Sequence, residues 1–335
     1  MDAHAVEHIL AGSSAHGVIR FGRHLHHALG RGLVREALSP AQLPAPAAEA
    51  ELVHISFTDH LFGPDPQAAV DTVLRLAAGR PLSLSLHDIP QPGEGAERCA
   101  RRQAAYLRLV RAADIVVTNS HSEAHRLESA GAIHVVPLPI EAPRLLAAAP
   151  GPLAAAPGPP TAGVSAEGVP VIGVFGFVYP GKGCEDVIDA APAGTRVLLL
   201  GDVADGHAGY LAGLRSRAGE RGIDLQCTGY IPDGELPAAL DAVTVPVCAH
   251  RHVSASGSLN TWIAHNRVPL TTTSDYTTEV AERWPGRLRL CAPGTLAEAL
   301  AAACRTPAST WADTPPPDWG WAEVAAAYRR IWSTV

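Results

Sequence analysis

A chain of 335 residues is long enough for two domains of about 150 residues each, and a net charge of −7 with 18% charged residues excludes the basic surface that a general nucleic-acid binder needs. Apolar residues make up 47%, a globular share, and no window approaches the roughly 20 apolar residues of a membrane span, so no span is expected and a cytoplasmic location is. Six cysteines (Cys99, Cys184, Cys227, Cys248, Cys291, Cys304) without a C-x-x-C pair read as reduced thiols, and the histidines show no metal-ligand spacing, with His24, His26 and His27 read on a helix surface; no metal is expected.

Ala5 to Ala11 reads as a first strand. It ends in the turn Gly12-Ser13-Ser14-Ala15-His16-Gly17, and a helix with Val18, Phe21, Leu25 and Leu29 at helical spacing then runs to Gly30. A helix start after a glycine turn suits an anion, with Arg20 one turn inside. Leu52 to Phe57 reads as a buried strand followed by a loop through Thr58, Asp59 and His60, and Asp71 to Ala78 as a helix. Leu82, Leu84 and Leu86 alternate with serines, a strand that delivers His87 and Asp88 into a loop closed by Pro90 and Pro92. Ligands of open parallel sheets bind beyond the carboxyl ends of strands, which favours a functional His87 over one merely hydrogen-bonded in a loop. Glu97 to Ala112 is an Arg-rich amphipathic helix, Asp114 to Thr118 a strand ending in Asn119-Ser120, Glu123 to Ala130 a helix and His134 to Val136 a last strand. The alternation implies an α/β fold of parallel βαβ units.

From Glu141 to Val169 the composition turns to Ala, Pro and Gly, which reads as a linker. A second series follows: strand Val171 to Phe175, the turn Gly176-Phe177-Val178-Tyr179-Pro180-Gly181-Lys182-Gly183, and a helix from Glu185. A glycine-rich turn with one lysine at a helix start suits phosphates, although the Walker pattern fails at Gly183. Arg196 to Leu200, Asp224 to Thr228, Val243 to Val247 and Leu270 to Thr273 read as strands. His207 to Gly219, Glu235 to Ala242 and Leu296 to Ala303 read as helices, and Trp319 to Trp332 as a final amphipathic helix packing across the domain boundary. Between Pro246 and Pro269, small residues (Ser254 to Ser258) lead into a helix carrying Leu259, Trp262 and Ile263 on one face. That start reads equally as an anion site with Ser256 and Ser258 as donors, or as a helix with Ser258 as its N-cap.

The order of these segments resembles the GT-B glycosyltransferases, most closely the retaining group known as family 4. His16-Gly17-Val18, the S-L-H-D strand end, T-N-S-x-x-E-A from Thr118, G-F-V-Y-P-G-K-G from Gly176 and T-G-Y-I-P-D-G-E-L from Thr228 carry the likeness. It implies two Rossmann-like domains facing a central cleft: residues 1–145 on the acceptor side, a linker over 146–168, a nucleotide-sugar domain over 169–312, and a C-terminal helix over 313–335 crossing back. His87 and Lys182 would be catalytic. Gly17, Gly176, Tyr179, Gly181, Tyr230, Ile231, Arg251, Ser256, Gly257, Ser258, Leu259 and Asn260 would meet the donor, and His16, Arg20, His54, Asp59, Asp88 and Glu94 the acceptor. The family's usual Glu, seven residues, Glu is replaced by Ser254 and Trp262, and Phe177 stands where an Arg is usual; Arg251 or Arg267 could supply that charge.

The implied activity is metal-independent transfer of a sugar, with retention, from a nucleotide diphosphate sugar of UDP or GDP type to a small soluble acceptor of the specialised-metabolite kind. The donor is a co-substrate; no cofactor is implied. The alternatives are a non-catalytic nucleotide-sugar-binding or regulatory homologue, and another GT-B-shaped enzyme such as a sugar-phosphate epimerase or a phosphorylase.

Overall fold

The computed structural model describes residues 5–14, 16–30, 32–140 and 168–334; the expected linker, save Gly168, lies outside the described residues. Two compact units result, one running to Pro139 and resuming at Trp319, the other from Ile140 to Asp318.

Unit 1 holds β1 (Val6–Ala11), α1 (Gly17–Leu29), β2 (Leu33–Ala37), β3 (Leu52–Phe57), α2 (Asp59–Phe62), α3 (Pro66–Ala77), β4 (Leu82–Leu86), α4 (Ala96–Ala112), β5 (Ile115–Thr118), α5 (His121–His125) and β6 (His134–Val135). The strands form one parallel sheet in the order β2-β1-β3-β4-β5-β6. The three central strands β1, β3 and β4 are buried along their whole length, as strands covered on both faces must be. Sequence reading missed β2 because its L-V-R-E-A run carries charge. Arg35 is accommodated at this edge by an ion pair with the buried Glu7, 2.9 Å away. The helix expected from Asp71 starts at Pro66, since Asp65 caps it by accepting from Gln67 and Ala68 and Pro66 takes the first-turn position. The loop expected at Asp59 and His60 contains the single turn α2.

Unit 2 holds β7 (Val171–Phe175), α6 (Cys184–Ala190), β8 (Arg196–Leu200), α7 (Ala208–Glu220), β9 (Asp224–Cys227), α8 (Leu236–Asp241), β10 (Val245–Cys248), α9 (Gly257–Ala264), β11 (Leu270–Thr272), α10 (Asp275–Arg283), β12 (Arg289–Cys291) and α11 (Leu296–Arg305). Its parallel sheet runs β12-β11-β10-β7-β8-β9. The short, polar α10 and β12 had escaped the sequence reading. Each sheet reverses its strand order once, between β1 and β3 in unit 1 and between β7 and β10 in unit 2. The loops at those two points mark where each unit's ligand site is expected.

The last helix, α12 (Trp321–Trp332), belongs to unit 1. Its Val324, Ala325, Tyr328 and Trp332 join Phe21, Leu25, Leu29, Ile115 and Val117 in one apolar cluster. Tyr328 and Trp332 reach the sheet, the hydroxyl 2.5 Å from Ser85 Oγ and the indole N–H donating to Ser83 Oγ at 2.8 Å. This cover corrects the expectation that the histidines of α1 face solvent. His24 stacks on Trp321 with ring centroids 5.2 Å apart, and His26 sits 5.0 Å from the ring of the buried His8; His27 alone of the three is exposed.

Candidate functional site

In unit 2, the loop after β7 meets the end of β10 at the point of strand reversal. Two glycines make that approach possible. A Cβ on Gly183, whose φ is +82°, would stand 1.7 Å from the carbonyl oxygen of Ala249, and one on Gly176 would press on Lys182 Nζ at 3.0 Å. The loop is fastened by Arg251, whose backbone N–H donates to the Gly181 carbonyl at 2.9 Å.

Lys182 is 5% exposed, and its Nζ donates to Ser258 Oγ at 3.0 Å. Ser258 Oγ is in turn 3.1 Å from Ser256 Oγ. Ser256, not Ser258, is the N-cap of α9: its hydroxyl accepts from the Leu259 N–H at 3.1 Å. Ser258 is thereby free of capping duty and faces the lysine. The N–H groups of Gly257 and Ser258 lie in the first helical turn, where no intrahelical carbonyl precedes them.

Among the described residues no carboxylate lies within ion-pair distance of Lys182. Burial pulls its pKa down, and it also pushes the neighbouring thiols of Cys184 and Cys248 up to about 12 and about 11, so neither supplies negative charge at neutral pH. His250 is held neutral by burial and by the lysine's own charge. A buried ammonium, a hydroxyl and an open helix start thus converge with no anion of the protein's own.

The other residues expected at this site divide. Tyr179 is half-buried, Tyr230 is 65% exposed, and Ile231 packs against a core cluster that contains Leu259. Leu259 and Asn260 are buried. The guanidinium of Arg251 is committed to both carboxylate oxygens of Asp186, at 2.8 and 2.9 Å, so it does not supply the charge expected of it. Arg267 is fully buried and donates to the carbonyls of Leu240, Val243 and Thr244 at 2.9 to 3.1 Å, with Trp311 stacked at 4.3 Å. It is a packing element and cannot replace the family arginine. Ser254 and Trp262, where the resemblance would put carboxylates, are both buried, Trp262 inside the apolar cluster.

In unit 1 the ends of β1, β3 and β4 bring His16, His60, His87 and Asp88 together. His16 Nε2 and His60 Nε2 are 3.0 Å apart, while His16 Nδ1 accepts from the Val18 N–H and so caps α1. The His87 ring is enclosed, edge-on to Phe21 with centroids 4.8 Å apart, and burial lowers its pKa to about 4 although Asp88 pulls the other way. Its Nε2 has no hydrogen-bond partner among the described residues. Asp88 adopts φ +51°, an unfavourable left-handed conformation for a residue with a side chain.

That turn is held by residues the sequence reading passed over. Arg102 donates to the Asp88 carbonyl at 2.7 Å, and the Tyr106 hydroxyl donates to the His87 carbonyl at 2.9 Å. Arg102 also binds Asp59 through Nε and Nη2 at 2.8 and 3.1 Å, and both Glu94 oxygens at 2.6 Å. Burial works against the Arg102 charge, but its hydrogen bonds to the carboxylates of Asp59 and Glu94 outweigh it and raise the pKa. Asp59 and Glu94, expected to meet an acceptor, are therefore engaged in fixing the loops. The signal for this node was available: Arg102 shares the buried face of α4 with Ala105, Tyr106 and Leu109.

His54 needs correction. It lies mid-strand, not at a strand end, fully enclosed beneath Tyr328 and Trp332 and hydrogen-bonded to Ser83 and Ser85, with burial lowering its pKa to about 3. No acceptor reaches it. Gly17 is exposed at the start of α1, and Arg20 is half-buried one turn further on. Among the described residues no group of three or more His, Cys, Asp and Glu could hold a metal ion, and no helix is long and apolar enough to cross a membrane.

No family model matches the sequence, and no curated protein does. Solved structures do. HepE from Anabaena in complex with UDP and glucose superimposes with a TM-score of 0.68 at 17% identity, over 99% of this chain and 95% of that one. Sucrose-phosphate synthase from Thermosynechococcus elongatus gives 0.62 at 15%, over 99% and 94%. AviGT4, a glycosyltransferase involved in avilamycin A biosynthesis, gives 0.54 at 14%, over 98% and 97%. With its two parallel six-stranded sheets, the chain has the GT-B fold.

Proposed function

We propose that the protein is a glycosyltransferase that draws its sugar from a nucleotide diphosphate sugar. The observation that carries this is Lys182: a buried side-chain amine with no carboxylate partner among the described residues, beside Ser258 and the start of α9, where the strand order of unit 2 reverses. A diphosphate supplies the missing negative charge. Its favourable interaction grows as the bond to the sugar breaks and charge builds on the leaving phosphate, which is where preorganised donors accelerate a reaction. On this reading Gly176, Gly181, Ser256, Gly257 and Ser258 are assigned to the diphosphate, and Tyr179, Tyr230, Ile231 and Asn260 to the rest of the donor.

The reading continues to retention without a metal. The bond from the anomeric carbon to the diphosphate oxygen breaks, the bond to the acceptor oxygen forms on the same face, and the acceptor's proton passes to the leaving phosphate oxygen. His87, whose backbone carbonyl is held by Tyr106 and whose following turn is held by Arg102, is the unit 1 residue assigned to catalysis in this reading. His16, Arg20 and Asp88 serve a small acceptor, with Asp59 and Glu94 acting through Arg102. HepE was solved with UDP-glucose, which makes that the first donor to try.

A second reading, nucleotide-sugar binding without catalysis, is favoured by the buried Ser254 and Trp262 in place of two carboxylates. One experiment separates the readings. A thermal-shift panel of UDP, GDP, ADP and dTDP should pick out one base, with about 2.7 kcal/mol of stabilisation at a hundredfold excess over Kd. The matching sugar nucleotide should then be turned over by the wild type and not by a folded Lys182→Ala variant. Near-normal turnover in that variant would overturn the transferase mechanism, whereas UDP binding without any turnover would favour the binding protein.

A further inference from the structure

His87 and Asn119 leave the sheet of unit 1 side by side. The parallel register of β4 and β5 sets Ser83 against Ile115, Leu84 against Val116 and Ser85 against Val117, so two residues further on His87 stands opposite Asn119. Ladder hydrogen bonding persists that far, with the His87 N–H donating to the Phe57 carbonyl and the Val136 N–H to the Thr118 carbonyl. Neighbouring strands lie about 4.8 Å apart, and opposed residues send their side chains to the same face. Both side chains are buried. Asn119 is also clamped: its backbone N–H donates to Glu123 Oε2 at 2.8 Å, and its Nδ2 donates to the Val136 carbonyl at 3.1 Å. A carbonyl only accepts, so the orientation of the amide is settled and Oδ1 is its far end. That oxygen and His87 Nε2 are both enclosed and both without a hydrogen-bond partner among the described residues. One is an obligate acceptor and the other is able to donate, so each is the complement the other lacks.

We infer that Asn119 is the positioning residue of His87, accepting from its Nε2–H and so holding the neutral ring in one tautomer, with a lone pair and no proton on Nδ1. Which nitrogen of an imidazole carries the proton is set by the hydrogen bond the ring makes, and here the sheet fixes that choice. His87 then meets the reacting groups only as a hydrogen-bond acceptor, through Nδ1. Asp88 on the same turn, His16 at the start of α1 and His54 on β3 are the titratable groups that act on the ring. Arg102 and Tyr106 of α4 engage the neighbouring backbone carbonyls. Asn119 works with Asp88 to favour the charged form, burial and His16 work against it, and the balance leaves a weak base at about 4. Such a nitrogen orients a hydroxyl without keeping its proton. The inference rests on the glycosyltransferase reading only in taking His87 to face reacting groups.

The test uses imidazole ¹⁵N–¹H correlation spectra of the full chain, with His87 assigned by the signals lost in His87→Gln. The wild type is expected to show His87 as the Nε2–H tautomer. Asn119→Leu should mix or reverse the tautomers, and Asn119→Asp, which sets a carboxylate against Nε2, should raise the His87 midpoint by about one pH unit or more. An Asn119 that merely ties β5 to β6 would move neither. The Nδ1–H tautomer in the wild type, or a His87 unmoved by both substitutions, overturns the inference whether or not sugar is transferred. Should Asn119→Leu fail to fold, the wild-type tautomer and Asn119→Asp still decide it. With UDP-glucose hydrolysis as the assay, Asn119→Leu should lower kcat about tenfold or more and leave KM and the UDP-induced thermal shift unchanged. A changed tautomer with unchanged kcat also overturns it. The expected tautomer and midpoint in a protein that never turns over UDP-glucose would support the pair and count against the transferase reading alone.

Discussion

Arg102 in unit 1 and Lys182 in unit 2 are both buried cations close to strand ends, and the protein treats them in opposite ways. Arg102 is saturated, with two carboxylates and a backbone carbonyl around its guanidinium. Lys182 is given one hydroxyl. A compensated buried charge fixes geometry, whereas an uncompensated one costs stability and waits for an anion. Unit 1 uses its cation to hold the turn at His87 and Asp88 in place; unit 2 leaves its cation with a single hydroxyl, which on the reading proposed above is kept for the donor. The same sheet topology thus carries one saturated and one unsaturated buried cation.

The largest break in this contrast is Arg102→Met. It leaves Asp59 and Glu94 without their partner and should cost unit 1 about 3–5 kcal/mol, the usual penalty for stranding one half of a buried ion pair. Amide exchange should accelerate in β3, β4 and α4 while β7 and β10 keep their protection; equal acceleration in both units would mean the node is not local.

Acid tests the imidazoles. His54 and His87 titrate at about 3 and about 4 in the folded protein, below the ordinary 6.5. The unfolded chain therefore binds protons that the folded one refuses as pH falls through that window. Stability is full above 6.5 and declines below it by about 1.4 kcal/mol per pH unit for each group. The urea midpoint of unit 1 should fall markedly between pH 7 and pH 5, and a flat midpoint would show that neither ring is neutral in the fold.

The smallest effect sharpens the comparison by its sign. Lys182→Met removes a buried charge that nothing neutralises, so the ligand-free protein should gain about 1 kcal/mol and a slightly higher Tm, while losing its response to UDP. A destabilised variant would mean that the lysine is compensated after all.

Most of the scaffold was legible because buried parallel strands announce themselves as apolar runs, as in V-L-L-L of β8 or L-S-L-S-L of β4. The strands and helix that escaped, β2, β12 and α10, are short or polar and are fixed by neighbours distant in sequence: Arg35 by Glu7, for example. The phosphate-type site was readable for a related reason, since glycines, lysine and serines cluster within two loops. The fate of charged side chains was not. Nothing local tells Arg251, spent on the carboxylate of Asp186, from Lys182, given only the hydroxyl of Ser258, and nothing in L-V-H-I-S-F shows that His54 will be roofed by a helix more than 260 residues later. Pairings across long sequence separations decide which polar groups remain available, and a linear pattern does not contain them.

That roof also sets a timetable. The helix α12 is synthesised after all of unit 2, so at the ribosome unit 2 can close its core while Phe21, Leu25, Ile115 and Val117 still lack Tyr328 and Trp332. The first domain to begin is the last to be finished, and for the length of one whole domain's translation its unfinished face is the nascent chain's exposed apolar surface.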